Sequence, residues 1–326
     1  MIDTNAIFNI KDASEFEKLT FDVFNFQFKN NPIYRSFCDL LYVHPSSVKA
    51  IADIPFLPIQ FFKTHRVLSV KKPIEATFSS TGTTGKSTSK HYVTNLDIYK
   101  KSFRKGFKTF YGSIENYIIL ALLPSYLERE GSSLIYMVND MISKSKHPES
   151  GFYLNNLSEL KHTLITLDAE NKKVLLIGVS FALLDLVDSH TFNLKSTLIM
   201  ETGGMKGKRK ELVREALHEK LKKGFGVSTI HSEYGMTELL SQAYSKGNGV
   251  FNSPNWMQIL TRDPEDALTL NSFNKIGGIN IVDLANINSC AFIATQDLGR
   301  VYPDGSFEIM GRFDNSDIRG CNLMVL

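Results

Sequence analysis

The chain is 326 residues long with 43% hydrophobic residues, enough to bury a large core as one sizeable α/β domain or as two unequal ones. Its net charge of +3 comes from lysines and arginines scattered among nearly as many acids, which argues against a nucleic-acid-binding surface. The first residues, Met1 to Asn5, lack the basic start and apolar core of a secretory signal, and the longest apolar run, residues 174–187, contains Asp185 and is too short to span a bilayer, so a cytoplasmic protein without a membrane span is expected.

Residues 11–29 carry Phe16, Leu19, Val23 and Phe26 at helical spacing after an acidic start, with Phe21, Phe24 and Phe28 widening the stripe, and predict an amphipathic helix. Residues 54–63 (Ile54, Pro55, Phe56, Leu57, Pro58, Ile59, Gln60, Phe61, Phe62, Lys63) are too proline-rich for a regular helix and too apolar for a solvated linker, so an extended strip beside the core is expected. From residue 75 on, short apolar runs at 76–78, 117–123, 134–138, 174–178 and 197–200 read as strands, and 96–110, 181–188 and 206–221 as helices. That alternation predicts an α/β fold with helical crossovers, in which sites collect at the carboxyl ends of strands. After residue 275, shorter strands punctuated by Gly277, Gly278, Gly299, Pro303, Asp304, Gly305 and Gly311 predict a β-rich closing portion.

Between the run at 76–78 and the helix at 96–110 stand Ser79, Ser80, Thr81, Gly82, Thr83, Thr84, Gly85, Lys86, Ser87 and Thr88. Small hydroxyls on flexible backbone supply the N–H and O–H donors that wrap the phosphates of a nucleotide, although the same composition also makes ordinary surface loops. A P-loop is nearly spelled by Gly85, Lys86 and Ser87 but fails five residues earlier, where Ser80 replaces the glycine that lets the backbone turn tightly. A second segment, Tyr234, Gly235, Met236, Thr237 and Glu238, follows the strand-like residues 227–231. It offers a ring face for a base, close backbone approach, a phosphate hydrogen bond and a carboxylate for Mg²⁺; it could equally open a helix, with Thr237 and Glu238 as capping residues.

Taken together, these two segments resemble the adenylate-forming superfamily of acyl-CoA ligases and luciferases. Glu201, Thr202, Gly203, Gly204 and Met205 are similar to its adenine-side loop. Thr295, Gln296 and Asp297, with Gly311, Arg312, Phe313 and Asp314, are similar to its ribose-binding and hinge motifs. The resemblance implies that residues 79–85 and Lys86 hold the β and γ phosphates of ATP, that Gly203, Gly204 and Met205 edge the adenine, and that Tyr234 and Gly235 lie against it. It further implies that Thr237 meets the α-phosphate, Glu238 binds Mg²⁺, Asp297 holds the ribose hydroxyls and Arg312 assists.

The departures are the replacement of the usual proline and lysine after Gly85 by Ser87, Thr88 and Ser89, with Lys90 the nearest displaced cation, and a chain that stops twelve residues after Asp314. Full-length members continue there into a lid of roughly 100 residues that carries a catalytic lysine. We therefore expect the superfamily's N-terminal core without that lid: an N-terminal helical and proline-punctuated segment at 1–74, the adenylate-forming core at 75–314, and a tail at 315–326.

The three cysteines, Cys38, Cys290 and Cys321, form neither a disulfide framework nor a metal motif, and the apolar neighbours of Cys38 and Cys290 read as core. Cys321 instead stands in the tail after Arg319 and Gly320, where a nearby cation favours the thiolate. A short adenylate-forming chain with such a cysteine is similar to the acyl-protein synthetases of the LuxE type. Residues 54–63 and 122–129 (Leu122, Leu123, Pro124, Ser125, Tyr126, Leu127, Glu128, Arg129) look like that family's own signatures. The likeness implies ATP- and Mg²⁺-dependent activation of a fatty or other carboxylic acid, capture of the acyl group on Cys321, and delivery to an acyl reductase or acyl-carrier partner. Two other readings stay open: a CoA ligase of the phenylacetate type, and a degenerate nucleotide-binding scaffold. Phe56, Phe61 and Phe62 read as an acyl-pocket wall or as core. His231 either touches substrate or ends a strand.

Overall fold

The computed structural model describes residues 2–80, 88–124, 131–203 and 212–313. The chain opens with α1 (Thr4–Ile7) and α2 (Ala13–Asn30). Asp12 caps α2 by accepting from the Glu15 N–H, and Phe16, Val23, Phe24 and Phe28 lie on its buried side. In α3 (Pro32–Leu40) the proline falls in the first turn, where its missing N–H costs nothing. The proline-punctuated strip is extended at β1 (Leu57–Pro58) and then, against expectation, makes one turn of helix, α4 (Phe61–Thr64). The prolines end at Pro58, so the N–H groups of the following residues are free to form that turn.

Next come the antiparallel pair β2 (Ala76–Ser79) and β3 (Lys90–Val93), which brackets the hydroxyl-rich segment, and then α5 (Leu96–Tyr111). The predicted rhythm follows as β4 (Ile118–Leu122), α6 (Ser133–Ser145), β5 (Gly151–Phe152), α7 (Leu157–Ala169), β6 (Val174–Val179), α8 (Ser180–Ser189), β7 (Thr197–Thr202), α9 (Arg214–Phe225) and β8 (His231–Tyr234). Strands β4 and β6 are buried along their whole length, as parallel strands covered on both faces must be. The closing strands are β9 (Ala243–Ser245), β10 (Val250–Asn252), β11 (Met257–Arg262), β12 (Ile276–Asp283), β13 (Phe292–Val301) and β14 (Phe307–Arg312).

Among the described residues these strands form a 12-stranded sheet in the order β11-β12-β13-β14-β10-β9-β8-β7-β6-β4-β5, with β1 beside β13. The β5 to β8 half is parallel and the β8 to β11 half antiparallel, so β8 is the strand at which the two halves meet. The mixed sheet with helical crossovers and the β-rich closing portion are as the sequence predicts. Two strand assignments are corrected. Residues 134–138 lie in α6, where Ser132 caps the helix and Ile135, Val138 and Met141 recur at helical spacing; a five-residue apolar run does not by itself separate strand from helix. The strand expected at 227–231 begins at His231, because Gly226, left-handed at φ 72°, first turns the chain out of α9. Of the helix expected at 206–221, residues 206–211 lie outside the described residues, and α9 runs from Arg214 to Phe225.

A single hydrophobic cluster extends from Ile7 to Phe307. Buried amides stitch the N-terminal helices to it: Gln27 Nε2 donates to the carbonyls of Asn286 and Ile287, both at 3.0 Å, and its Oε1 accepts from the Ala291 N–H at 2.9 Å. No helix among the described residues is long and apolar enough to cross a membrane.

Candidate functional site

At the carboxyl end of β8, Tyr234 donates its phenol hydrogen to Asp297 Oδ2 at 2.7 Å, and Arg312 Nε donates to Asp297 Oδ1 at 2.9 Å. Strand pairing produces this cluster, since Asp297 on β13 and Arg312 on β14 are direct cross-strand partners. The register slips between Leu298 and Gly299, and only glycine fits there: a Cβ on Gly299 would lie 2.2 Å from the Glu308 carbonyl oxygen. The Tyr234 ring packs edge-on against the stacked pair Phe251 and Phe307, with centroids 6.0 and 5.9 Å away. Burial, and then the Asp297 carboxylate, hold its phenol well above the usual range, so it stays a donor. The Asp297 carboxylate in turn raises the Arg312 guanidinium.

The residues after Tyr234 form a turn and not a helix start; a Leu239 N–H bond to the Met236 carbonyl, 3.1 Å long, closes it. Long-range side chains define the rest of its shape. His91 on β3 donates from Nδ1 to the Thr237 carbonyl at 2.9 Å, and Asn286 Nδ2 donates to the Glu238 carbonyl at 2.8 Å. Asp283 accepts from the N–H groups of Leu240 and Ser241 at 2.9 and 3.0 Å. The Glu238 side chain is buried, which pushes its carboxyl up; the Ser89 hydroxyl and then the cations Arg312 and Lys63 pull the other way. A divalent cation would relieve this buried charge. Mg²⁺ is commonly held by one or two carboxylates with phosphates and waters completing the shell, so a buried glutamate beside the root of the hydroxyl-rich segment fits it.

The base of the hydroxyl loop meets the same turn. Ser79 ends β2 and donates its N–H to the Gly131 carbonyl at 2.8 Å. The Ser80 N–H donates to the Ser89 carbonyl at 3.1 Å, and the Ser89 N–H returns to Ser80 Oγ at 3.0 Å. These two bonds join Ser80 to Ser89 at the root of the hydroxyl-rich segment, and Ser89 touches Glu238. Thr81, Gly82, Thr83, Thr84, Gly85 and Lys86 lie outside the described residues, as do Gly204, Met205 and Cys321. Gly203 follows the last residue of β7 at φ 69°, and its carbonyl lies 2.7 Å from Ser180 Oγ. Beside it, burial pushes the Glu201 carboxyl up, but His218 and Arg214 hold it below the usual glutamate range. Gly235 is exposed; a Cβ there would lie 2.5 Å from Glu233 Oε1.

Tyr234, Asp297 and Arg312 thus form one cluster, and Ser89, Thr237 and Glu238 a second that shares Arg312 electrostatically and that Ser80 reaches only through its bonds to Ser89. His231 stays outside both. It starts β8, its Nδ1 is 3.2 Å from the Tyr111 hydroxyl, and burial, with Lys246, lowers it to about 4. Sequence reasoning passed over His91, Asn286 and Arg262. Buried Arg262 braces the strand bearing Asp297 by donating to the carbonyls of Ile279 and Thr295 at 2.9 and 2.6 Å. The one signal for it was Gly278, where a Cβ would lie 2.6 Å from the guanidinium carbon.

His91 also carries a stability prediction. Burial lowers it from 6.5 to about 4, so between those values the unfolded chain takes up a proton that the folded chain refuses. Its contribution is complete above pH 6.5 and is lost as pH falls through 4, by about 3 kcal/mol at about 1.4 kcal/mol per pKa unit. Denaturant unfolding from pH 7 to pH 4 is expected to show this loss, and His91→Asn to lack it.

The model of the family described as acyl-protein synthetase, LuxE, matches residues 9–326. None of the curated proteins matches this sequence. Among solved structures, an open conformation of 2-hydroxyisobutyryl-CoA ligase in complex with 2-HIB-AMP and CoA is similar at 12% identity and TM-score 0.63, covering 93% of this chain and 76% of that one. ATP-bound MatB from Rhodopseudomonas palustris is similar at 16% identity and TM-score 0.55, covering 75% of this chain and 50% of that one. At these identities the likeness is one of fold, that of adenylate-forming ligase cores.

Proposed function

This chain belongs to the acyl-protein synthetase (LuxE) family and is an AMP-forming ligase that activates an acid with ATP; on that premise we propose that it activates a fatty or similar carboxylic acid and passes the acyl group to its own Cys321. A carboxylate oxygen attacks the α-phosphorus of ATP and displaces pyrophosphate. The Cys321 thiolate then attacks the carbonyl carbon of the acyl-adenylate and displaces AMP, leaving a thioester for an acyl reductase or carrier partner.

The observation that carries this reading is the Tyr234, Asp297 and Arg312 cluster beside the turn of Thr237 and Glu238, which Ser89 meets. Tyr234 lies against the adenine, which Gly203 and Gly204 edge. Asp297 already accepts from Tyr234 and Arg312, but a carboxylate has about four lone-pair sites, which leaves room for the ribose hydroxyls. Glu238 holds Mg²⁺ while Thr237, the 79–85 loop and Lys86 meet the phosphates, stabilising charge where it develops. The choice of thiol has support from the other two cysteines. Cys38 and Cys290 are both fully buried; burial raises Cys38 to about 12 and Cys290 further, so neither yields a thiolate at neutral pH.

The test is incubation with ATP, Mg²⁺ and a panel of labelled acids, with and without CoA. Acid-dependent pyrophosphate release together with hydroxylamine-labile label on the protein is expected. Turnover that requires CoA and leaves the protein unlabelled makes it a CoA ligase, and no release with any acid or partner makes it a nucleotide-binding scaffold.

A further inference from the structure

The turn that carries Thr237 and Glu238 has almost no backbone bonding of its own, and one of the two side chains that take its carbonyls comes from the strand on which the hydroxyl loop returns. We infer that His91 is a positioning residue for adenylation: by donating from Nδ1 to the Thr237 carbonyl, it fixes the Thr237 hydroxyl and Glu238 carboxylate relative to the root of the phosphate loop. This rests on the adenylation reading proposed above.

The geometry leaves the ring little freedom. His91 is 1% exposed and sits on β3 opposite Phe78 of β2, so it belongs to the hairpin that bears Ser79 and Ser80. Phe62 of α4 meets it edge-on with centroids 5.7 Å apart, fixing its plane. A carbonyl only accepts, so the hydrogen is on Nδ1, and a neutral ring then leaves Nε2 bare. The 2.9 Å bond joins residues 146 apart in the chain, and it is the one described hydrogen bond from the β2–β3 hairpin to the Thr237 carbonyl. An aromatic of similar volume would fill the space but leave that carbonyl unpartnered, and a shift of about 1 Å in a catalytic group can cost about 100-fold in rate.

Three forms are compared in acid-dependent pyrophosphate release: native, His91→Phe and His91→Asn, the last placing an amide N–H near the position of Nδ1. We expect His91→Phe to lower kcat at least about tenfold and to raise the half-saturating Mg²⁺ concentration, with the ATP KM changed by less than about threefold, and His91→Asn to recover most of the rate. Native rate in folded His91→Phe, or equal loss in His91→Asn and His91→Phe, overturns the inference. Two-bond ¹H–¹⁵N spectra of the ¹⁵N-histidine-labelled native protein test it with no variant: the Nδ1–H tautomer is expected at His91, and Nε2–H overturns it. A native protein inactive with every acid counts instead against adenylation, and the tautomer still decides the role of the His91 bond.

Discussion

Asp297→Ala is expected to lower acid-dependent pyrophosphate release at least about 100-fold. Asp297 is a 5% exposed carboxylate with one oxygen on the Tyr234 phenol and the other on Arg312. Removing it strands a buried phenol donor, at about 1–3 kcal/mol, and in the proposed site withdraws a charge-assisted acceptor from the ribose, where truncating one partner costs about 2–5 kcal/mol. The Arg312 side chain is 78% exposed, so its loosened ion pair adds little to that total. The loss should fall mainly on kcat/KM for ATP, because a nucleotide anchor acts in both ground and transition states. Asp297→Asn retains the shape and is expected to lose about tenfold, while the Tyr234 phenol, relieved of the Asp297 charge, titrates at lower pH in ultraviolet difference spectra. An Asp297→Ala protein with unchanged ATP KM and kcat removes the residue from the nucleotide site.

Glu238→Gln separates function from stability in opposite directions. The amide keeps the volume and the contact to Ser89 but removes the charge proposed to hold Mg²⁺, and we expect loss of Mg²⁺-dependent release by about 100-fold or more. Stability should move the other way. Burial raises the Glu238 carboxyl, so the folded chain holds its proton to higher pH than the unfolded chain does. The contribution of that group is present at low pH and lost as pH rises through its folded pKa, so near neutrality burial of this carboxyl leaves the native protein less stable than it is in acid. Glu238→Gln is therefore expected to raise Tm at pH 7 without Mg²⁺ and to lose that advantage in acid. A lower Tm together with full activity contradicts both parts.

How much of this was legible in the sequence depends on whether a feature is local. The α2 helix announced itself through Asp12 and the Phe16, Val23 stripe, and β4, β6 and β7 through apolar runs that parallel, doubly covered strands require. The run at 134–138 did not, because five apolar residues fit a strand or a helix face, and the Ser132 cap, not the run, settles it as helix. Tyr234, Glu238 and Asp297 stood out as members of short motifs. That Tyr234 and Asp297 touch across 63 residues depends on how β13 pairs with β14 and on the slip at Gly299, and no local pattern encodes that. His91, Asn286 and Arg262 were silent for the same reason: each is a lone polar residue whose partners are carbonyls brought near by tertiary packing.

The most direct test of the central claim is the intact mass of the purified protein after incubation with ATP, Mg²⁺ and each acid that supports pyrophosphate release, followed by peptide mapping. The account predicts an ATP-dependent gain equal to the acid less one water, removed by hydroxylamine, located on the peptide that contains Cys321, and absent from Cys321→Ser although that variant still releases pyrophosphate. The same gain on Cys321→Ser, or pyrophosphate release with no acyl gain on the native protein, would contradict it.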